Sequence, residues 1–159
     1  MEPRTYAWII PGRLAVGERP GGAGRSHSRE RRAGELEWWR GHGVGAIVSG
    51  LRTRHCLADY VDAGFVVRWH PLKTPEEAER DMTALVTDVR DLLDEDPIRG
   101  VLVHCDMANE WLAGVDASLR LGLGLARTRR AALRAATADG LPVGSLATSI
   151  VGRPMSAAA

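Results

Sequence analysis

The sequence predicts an α/β fold, with a mostly parallel sheet of about four or five strands flanked by helices. Short apolar runs alternate with helical patterns along the chain, which is typical of strand–helix–strand units. The run VGAIVSG (44–50) lies between glycines and is apolar throughout, as buried parallel strands are. The run VLVH (101–104) leads through a short loop into a helical pattern. Together these observations place a sheet at the centre of the protein.

The pattern in the first part of the chain predicts strands before and after one helix. Residues 6–18 form two short strands broken at the Pro11-Gly12 turn, and the Gly- and Arg-rich segment 19–32 is loop-like. A helix over about 29–41 follows, with Leu36 and Trp39 directed inward. Strands over 44–50 and 65–72 come next.

The second part predicts mostly helices. Thr74, Pro75 and Glu77 have the spacing of a capping box, so a helix is expected to begin there. Its apolar positions recur at helical spacing as far as Leu93. Further helices are predicted over 109–123, 126–140 and 144–152. We expect one domain over 1–152 and a disordered tail over 153–159.

Composition limits the function classes. The chain has 159 residues, of which 45% are hydrophobic and 26% charged, with a net charge of +1. These values are globular and give no reason to expect nucleic acid or a membrane surface as a partner. The sequence contains no apolar run of membrane-spanning length and no secretory leader pattern. Its two cysteines form no disulfide framework, so we expect a cytoplasmic protein.

Two loops are expected to meet at the carboxyl edge of the sheet, where ligands bind in open α/β folds. One is SGLRTRHC (49–56) and the other is HCDMANEW (104–111). A cysteine opening a strand–loop–helix turn can be activated by loop amides and by the helix N-terminus. The simpler alternative is that Cys105 is a small buried residue at the end of a strand.

The segment VLVHC, five loop residues and a helix resembles the active-site loop of the cysteine-dependent protein tyrosine and dual-specificity phosphatases, whose signature is H-C-x-x-G-x-x-R. WIIPGRLAVGERPG (8–21) is similar to the opening strands of small bacterial members. The segments 36–51 and 70–93 are similar to their central helix, strands and acid loop. The resemblance covers roughly residues 6–125 and implies the phosphatase fold.

The loop departs from the family signature where phosphate would bind. The family arginine corresponds to Trp111, which has no charge and no bidentate donor, and the loop glycine corresponds to Ala108. Asp106 and Glu110 add carboxylates that would repel a phosphate dianion and raise the pKa of the Cys105 thiol. No aspartate follows the strand that precedes Lys73, where the family has its general acid. Ordinary phosphatase activity is therefore not expected.

We favour a repurposed enzyme that acts on a small neutral or cationic molecule. Cys105 would serve as nucleophile or thiol acid, with Asp106 and Glu110 transferring protons or holding an amine. The residues expected to contact the substrate are His104, Asn109, Trp111, Arg52, Arg54 and Lys73.

Two other interpretations stay open. A pseudophosphatase would bind a ligand or partner without turnover, with Asp106 and Glu110 serving only as helix-start acids and Trp111 as core packing. In the family, the histidine corresponding to His104 is understood to orient the loop. A weak protein tyrosine or dual-specificity phosphatase is the third possibility.

A second His-Cys pair, His55-Cys56, lies in the other loop. With His104 and Cys105 it would offer four zinc ligands, but adjacent strand residues point to opposite faces, so we expect no metal and no cofactor. A redox couple between Cys56 and Cys105 is a further alternative.

Overall fold

The computed structural model describes residues 1–95 and 97–151, and in them the predicted α/β architecture is confirmed. The predicted tail 153–159 lies outside the described residues, as does Gly152 at the end of the predicted domain. The strands are β1 (Tyr6–Ile10), β2 (Leu14–Glu18), β3 (Val44–Ser49), β4 (Val66–Trp69) and β5 (Gly100–Cys105). The helices are α1 (Arg29–Gly41), α2 (Leu57–Asp62), α3 (Ala78–Asp94), α4 (Glu110–Gly122), α5 (Arg129–Ala138) and α6 (Ser145–Ile150).

The five strands form one sheet in the order β1-β2-β5-β3-β4. β1 pairs antiparallel with β2 through the Pro11-Gly12 turn, and the other neighbours pair in parallel. The central strand, β5, is buried along its whole length, as expected for an apolar strand with helices on both faces. The carboxyl ends of β2, β3 and β5 therefore lie side by side.

Alternating side chains divide the core into two layers. Val16, Val48 and Val103 face the layer formed with α3, α4 and α6. Ala15, Ile47 and Leu102 face the opposite layer. Residues of that layer from α1 and α2 include Leu36, Trp39 and Tyr60, the last two being fully buried. Within the described residues, no helix combines the length and the apolar character that crossing a membrane requires.

Two local predictions differ from the structure. The segment before α3 is a 3-10 turn over Pro75–Glu77, and the Thr74 side chain makes no capping hydrogen bond. The Glu77 backbone N–H, which a capping box would use, donates instead to the Thr74 carbonyl at 3.2 Å. The second difference is α2, a short helix in a segment where no element is predicted from the sequence.

Candidate functional site

A cleft of about 440 Å³ opens at the carboxyl ends of β2, β3 and β5. This volume suits one small molecule. The predicted position of the site, at the edge where ligands bind in such sheets, agrees with the cleft. Its lining consists of Arg19, Gly50, Leu51, Arg52, Thr53, Leu72, Cys105, Asp106, Asn109 and Trp111.

Cys105 ends β5, and its side chain belongs to the layer of α3 and α4. The residue is only 4% exposed. Burial, helped by the negative charge of Asp106, raises the pKa of the Cys105 thiol to about 12. At neutral pH this cysteine is therefore a protonated thiol and not a nucleophilic thiolate.

His104 points to the opposite face of the sheet and is completely buried. Its Nδ1 lies 3.1 Å from the Cys105 carbonyl oxygen, which can only accept, so Nδ1–H is the donor. Nε2 is then an acceptor, and the Tyr60 hydroxyl donates to it at 3.2 Å. Burial lowers the pKa of His104 to about 4, so the imidazole is neutral and holds the backbone of the loop. His104 does not line the cleft.

Asp106 keeps a carboxylate in the cleft, with 43% of its side chain exposed. The carboxylate forms an ion pair with Arg19 Nε at 3.4 Å, and the Arg19 backbone N–H donates to the Asp106 carbonyl. Arg19 directly follows β2, whose last residue, Glu18, pairs with Cys105. Arg19 was not among the predicted site residues, although its position after a strand adjacent to β5 is a signal for it.

Glu110 lies outside the cleft lining. Its Oε1 accepts the Ala147 backbone N–H at 3.2 Å, in the first turn of α6. Gly144 makes room for this contact, since a Cβ there would lie 2.5 Å from the same oxygen. The structure thus separates Glu110 from the pair formed by Cys105 and Asp106.

The start of α4 fixes the other two predicted loop residues. Asn109 caps the helix, because its Oδ1 accepts the backbone N–H groups of Trp111 at 3.1 Å and Leu112 at 3.3 Å. Trp111 is half-buried against the core and lines the cleft. Both residues face the cleft, but the Asn109 carboxamide oxygen is already committed to the helix.

The three basic residues predicted to contact a substrate, Arg52, Arg54 and Lys73, lie in different places. Arg52 lines the cleft, and its Nη2 donates to the Lys73 carbonyl at 2.9 Å. The Arg54 guanidinium lies 4.8 Å from the centre of the Trp69 ring, outside the cleft lining. Lys73 contributes its backbone to Arg52, and its side chain is exposed.

The pairings considered for the two His-Cys dipeptides, a redox couple and a shared zinc site, do not form. Cys105 and Cys56 are both free and buried, but they belong to apolar layers on opposite faces of the sheet. This arrangement excludes the redox couple and the four-ligand zinc site in this conformation. His55 and Cys56 instead lie beside His27.

No family model and no curated protein matches the sequence. Solved structures do match. Tk-PTP in its active form aligns with a TM-score of 0.69 and 17% identity, over 93% of each chain. The fold is that of the protein tyrosine and dual-specificity phosphatases.

Two further structures carry the same phosphatase-like fold. The DUF442 protein of Shewanella putrefaciens CN-32 aligns with a TM-score of 0.65 and 15% identity, over 94% of this chain and 89% of its own. A variant of human DUSP28 aligns with a TM-score of 0.59 and 16% identity, over 94% of this chain and 92% of its own. The predicted resemblance is therefore confirmed at the level of the phosphatase-like fold.

Proposed function

We propose that this protein is a pseudophosphatase that binds a small zwitterionic molecule in the cleft without using Cys105 as a nucleophile. The observation that carries the proposal is the state of the thiol. Cys105 is buried, and its pKa is raised to about 12 by burial and by Asp106. A phosphatase nucleophile needs the opposite arrangement, a thiolate stabilised by positive charge.

The loop also lacks the groups that bind a phosphate dianion. Trp111 replaces the bidentate guanidinium, and the indole N–H is a single neutral donor. The carboxylate of Asp106 stands in the cleft and would repel the dianion. The Arg19 guanidinium, which contacts the loop, is already paired with that carboxylate.

The cleft favours a ligand that carries both signs of charge. Asp106 offers a solvent-facing carboxylate for an ammonium group, and Arg52 offers a guanidinium for a carboxylate. Between these charges, Trp111, Leu51 and Leu72 provide apolar and aromatic surface. An α-amino acid with an apolar side chain has this combination of groups.

Binding of L-phenylalanine, phenethylamine and 3-phenylpropionate, measured by calorimetry, tests this ligand class. We expect the amino acid to bind at least about tenfold more tightly than either single-charge analogue, since it uses both charged groups. Asp106→Asn should remove its advantage over the acid, and Arg52→Gln its advantage over the amine. Arg25→Gln, outside the cleft lining, is the matched control. Equal binding of all three compounds, or no binding, would contradict the zwitterion proposal.

Hydrolysis of p-nitrophenyl phosphate tests the absence of phosphatase chemistry. We expect no turnover by the wild type above that of Cys105→Ser. The variant Ala108→Gly/Trp111→Arg, which restores two signature residues, should bind tungstate at least about tenfold more tightly than the wild type because it regains a bidentate guanidinium. Turnover that depends on Cys105 would overturn the pseudophosphatase assignment.

A repurposed enzyme is the second candidate, and one observation favours it. Asp106 remains exposed beside Cys105 in the cleft, so an acid–base reaction could proceed without a thiolate. Turnover of a bound amino acid or amine that survives Cys105→Ser and is lost in Asp106→Asn would support this candidate over the binding module.

A further inference from the structure

His27, His55 and Cys56 form a compact group that the cleft does not use, here called the thiol–imidazole cluster. One ligand atom from each residue lies within 4.8 Å of the other two. The Cys56 Sγ is 3.0 Å from His55 Nδ1 and 3.8 Å from His27 Nε2. Atoms at these separations can share one metal ion with only small side-chain movements, since zinc binds nitrogen and sulfur at about 2.0–2.3 Å.

The backbone explains how adjacent residues contribute to one cluster. Cys56 has φ of 70°, the only positive φ of any non-glycine residue in the described part of the chain. In this left-handed conformation, neighbouring side chains do not alternate as in a strand, and Cys56 directs its thiol towards the imidazole of His55. The conformation is strained for a residue with a Cβ, and such strain concentrates at functional sites.

Helix capping does not explain the strained backbone at Cys56, whose side chain packs in the layer of Trp39 and Tyr60. The residue occupies the N-cap position of α2, but its side chain forms no capping hydrogen bond. Glycine or asparagine would adopt this backbone at lower cost. The thiol is therefore the feature that distinguishes Cys56 from a better turn residue.

His27 is oriented as metal-binding histidines are. Its Nδ1 lies 3.1 Å from the Gly22 carbonyl oxygen, so Nδ1–H donates to the backbone. This bond fixes the ring and leaves the Nε2 lone pair directed at the cluster. A backbone carbonyl that holds the other ring nitrogen is a regular outer contact of zinc-bound imidazoles.

Two guanidinium groups now donate to the atoms of the cluster. Arg32 Nη1 contacts His27 Nε2 and lies 3.4 Å from Cys56 Sγ. Arg19 Nη1 lies 3.1 Å from His55 Nδ1. Each arginine also has a carboxylate partner, Asp59 for Arg32 and Asp106 for Arg19. The cluster is thus a set of acceptors that faces positive charge, and a bound cation has to displace both Nη1 donors from the ligand atoms.

We propose that the thiol–imidazole cluster binds a zinc-class divalent cation through His27 Nε2, a ring nitrogen of His55 and the Cys56 thiolate. Nitrogen and sulfur ligands select zinc or cobalt over magnesium or calcium, which require oxygen. The exposed position of His55 leaves the fourth coordination position to water. The thiolate offsets one charge of the ion, and the nearby guanidinium groups keep the affinity below that of a closed structural zinc site.

Titration of the full-length protein with Co²⁺ tests the proposal. We expect a thiolate-to-cobalt charge-transfer band in the near ultraviolet and intense visible bands typical of four-coordinate cobalt, both abolished by excess Zn²⁺. Cys56→Ser should eliminate the charge-transfer band, and His27→Gln should weaken Co²⁺ binding by about a hundredfold or more. Cys105→Ser and His42→Gln, which change the other cysteine and a histidine outside the cluster, should leave the spectrum unchanged.

A second measurement does not depend on the folding of the ligand variants. In the Cys105→Ser protein, Zn²⁺ should slow alkylation of Cys56 by iodoacetamide at least about tenfold, because metal binding removes the free thiolate. A charge-transfer band that persists in Cys56→Ser, binding unchanged in His27→Gln, or no protection by Zn²⁺ would each overturn the assignment.

Discussion

The chain contains the same dipeptide twice, and the two copies have opposite chemical surroundings. His104-Cys105 ends a strand, so the imidazole and the thiol lie on different faces of the sheet and both are buried. His55-Cys56 lies in a turn whose left-handed residue brings the two side chains within 3.0 Å of each other. Backbone conformation, and not residue type, therefore decides whether a His-Cys pair can act as one chemical unit.

The charges around the two thiols differ in the same way. Asp106 adds to the effect of burial and raises the pKa of Cys105 further. Burial also raises the pKa of Cys56, but the positive charges of Arg32 and Arg19 oppose that rise. Cys105 is thus the poorer nucleophile of the two.

The largest difference between the two dipeptides is expected in the free energy of unfolding that is lost when each imidazole is removed. His104→Ala should lower the free energy of unfolding by about 3 kcal/mol, because it leaves a cavity and removes the partner of the buried Tyr60 hydroxyl. His55→Ala, at an exposed position, should change it by less than about 0.5 kcal/mol. Urea denaturation of both variants measures the difference, and similar losses would mean that His104 does not hold the loop.

The buried imidazole should also give a pH dependence. The pKa of His104 is lowered to about 4 in the folded protein, from an ordinary value of 6.5. Below pH 6.5 the His104 side chain is protonated in the unfolded chain, whereas in the folded protein it stays neutral until the pH approaches 4. The contribution of His104 is therefore complete above pH 6.5 and is lost as the pH falls through 4, up to a total of about 3 kcal/mol.

The titration of Asp116 changes the free energy of unfolding with pH in the opposite direction. The pH dependence of the wild type alone therefore does not report on His104. Burial, helped by Asp139, raises the pKa of the Asp116 carboxyl, so the stability that its protonation gives is present in acid and lost as the pH rises through that raised pKa. The difference in unfolding free energy between wild type and His104→Gln cancels this effect. That difference should shrink between pH 6.5 and 4, and a constant difference would show that His104 titrates normally.

The two thiols should differ in reactivity by at least about tenfold. At pH 8, a thiol with a pKa near 12 is ionised in only about one molecule in ten thousand, so Cys105 should react very slowly with iodoacetamide. Cys56 should react first because two guanidinium groups favour its thiolate. Peptide mass spectrometry after timed alkylation assigns each rate, and faster labelling of Cys105 would reverse the comparison.

The smallest expected effect concerns Glu110, next to the Cys105 loop. Glu110→Ala removes the acceptor of the Ala147 N–H and should lower the free energy of unfolding by about 0.5–1 kcal/mol. Glu110→Gln keeps an acceptor oxygen and should lose less. Neither variant should change ligand binding in the cleft. A large loss of binding in Glu110→Gln would show that Glu110 belongs to the binding site.

Local sequence patterns predicted most of the fold. The predicted helix over 29–41 agrees with α1, where Ser28 accepts the Arg31 N–H as a capping residue. The alternation of apolar runs and helices predicted the parallel sheet and the loop of Cys105 at its edge. These features depend on residues close together in the chain, which is why the sequence predicts them.

The site was less predictable because its contacts join distant segments. Glu110 turns towards α6, and only the packing of α6 beside α4 creates that partner. Arg19 follows β2 and Asp106 follows β5, and these neighbouring strands are far apart in sequence. The contact between His55 and Cys56 depends on a left-handed backbone at Cys56. Because Cys56 is not a glycine, the sequence gives no signal for that conformation.

Arg19 gives the protein a thermodynamic link between its two polar regions. The same guanidinium holds Asp106 in the cleft and His55 in the thiol–imidazole cluster. A molecule that draws the Asp106 carboxylate away frees this guanidinium to move, and a cation at His55 displaces it in turn. If both proposed sites are occupied through these contacts, each ligand changes the affinity of the other, and by the same factor in both directions.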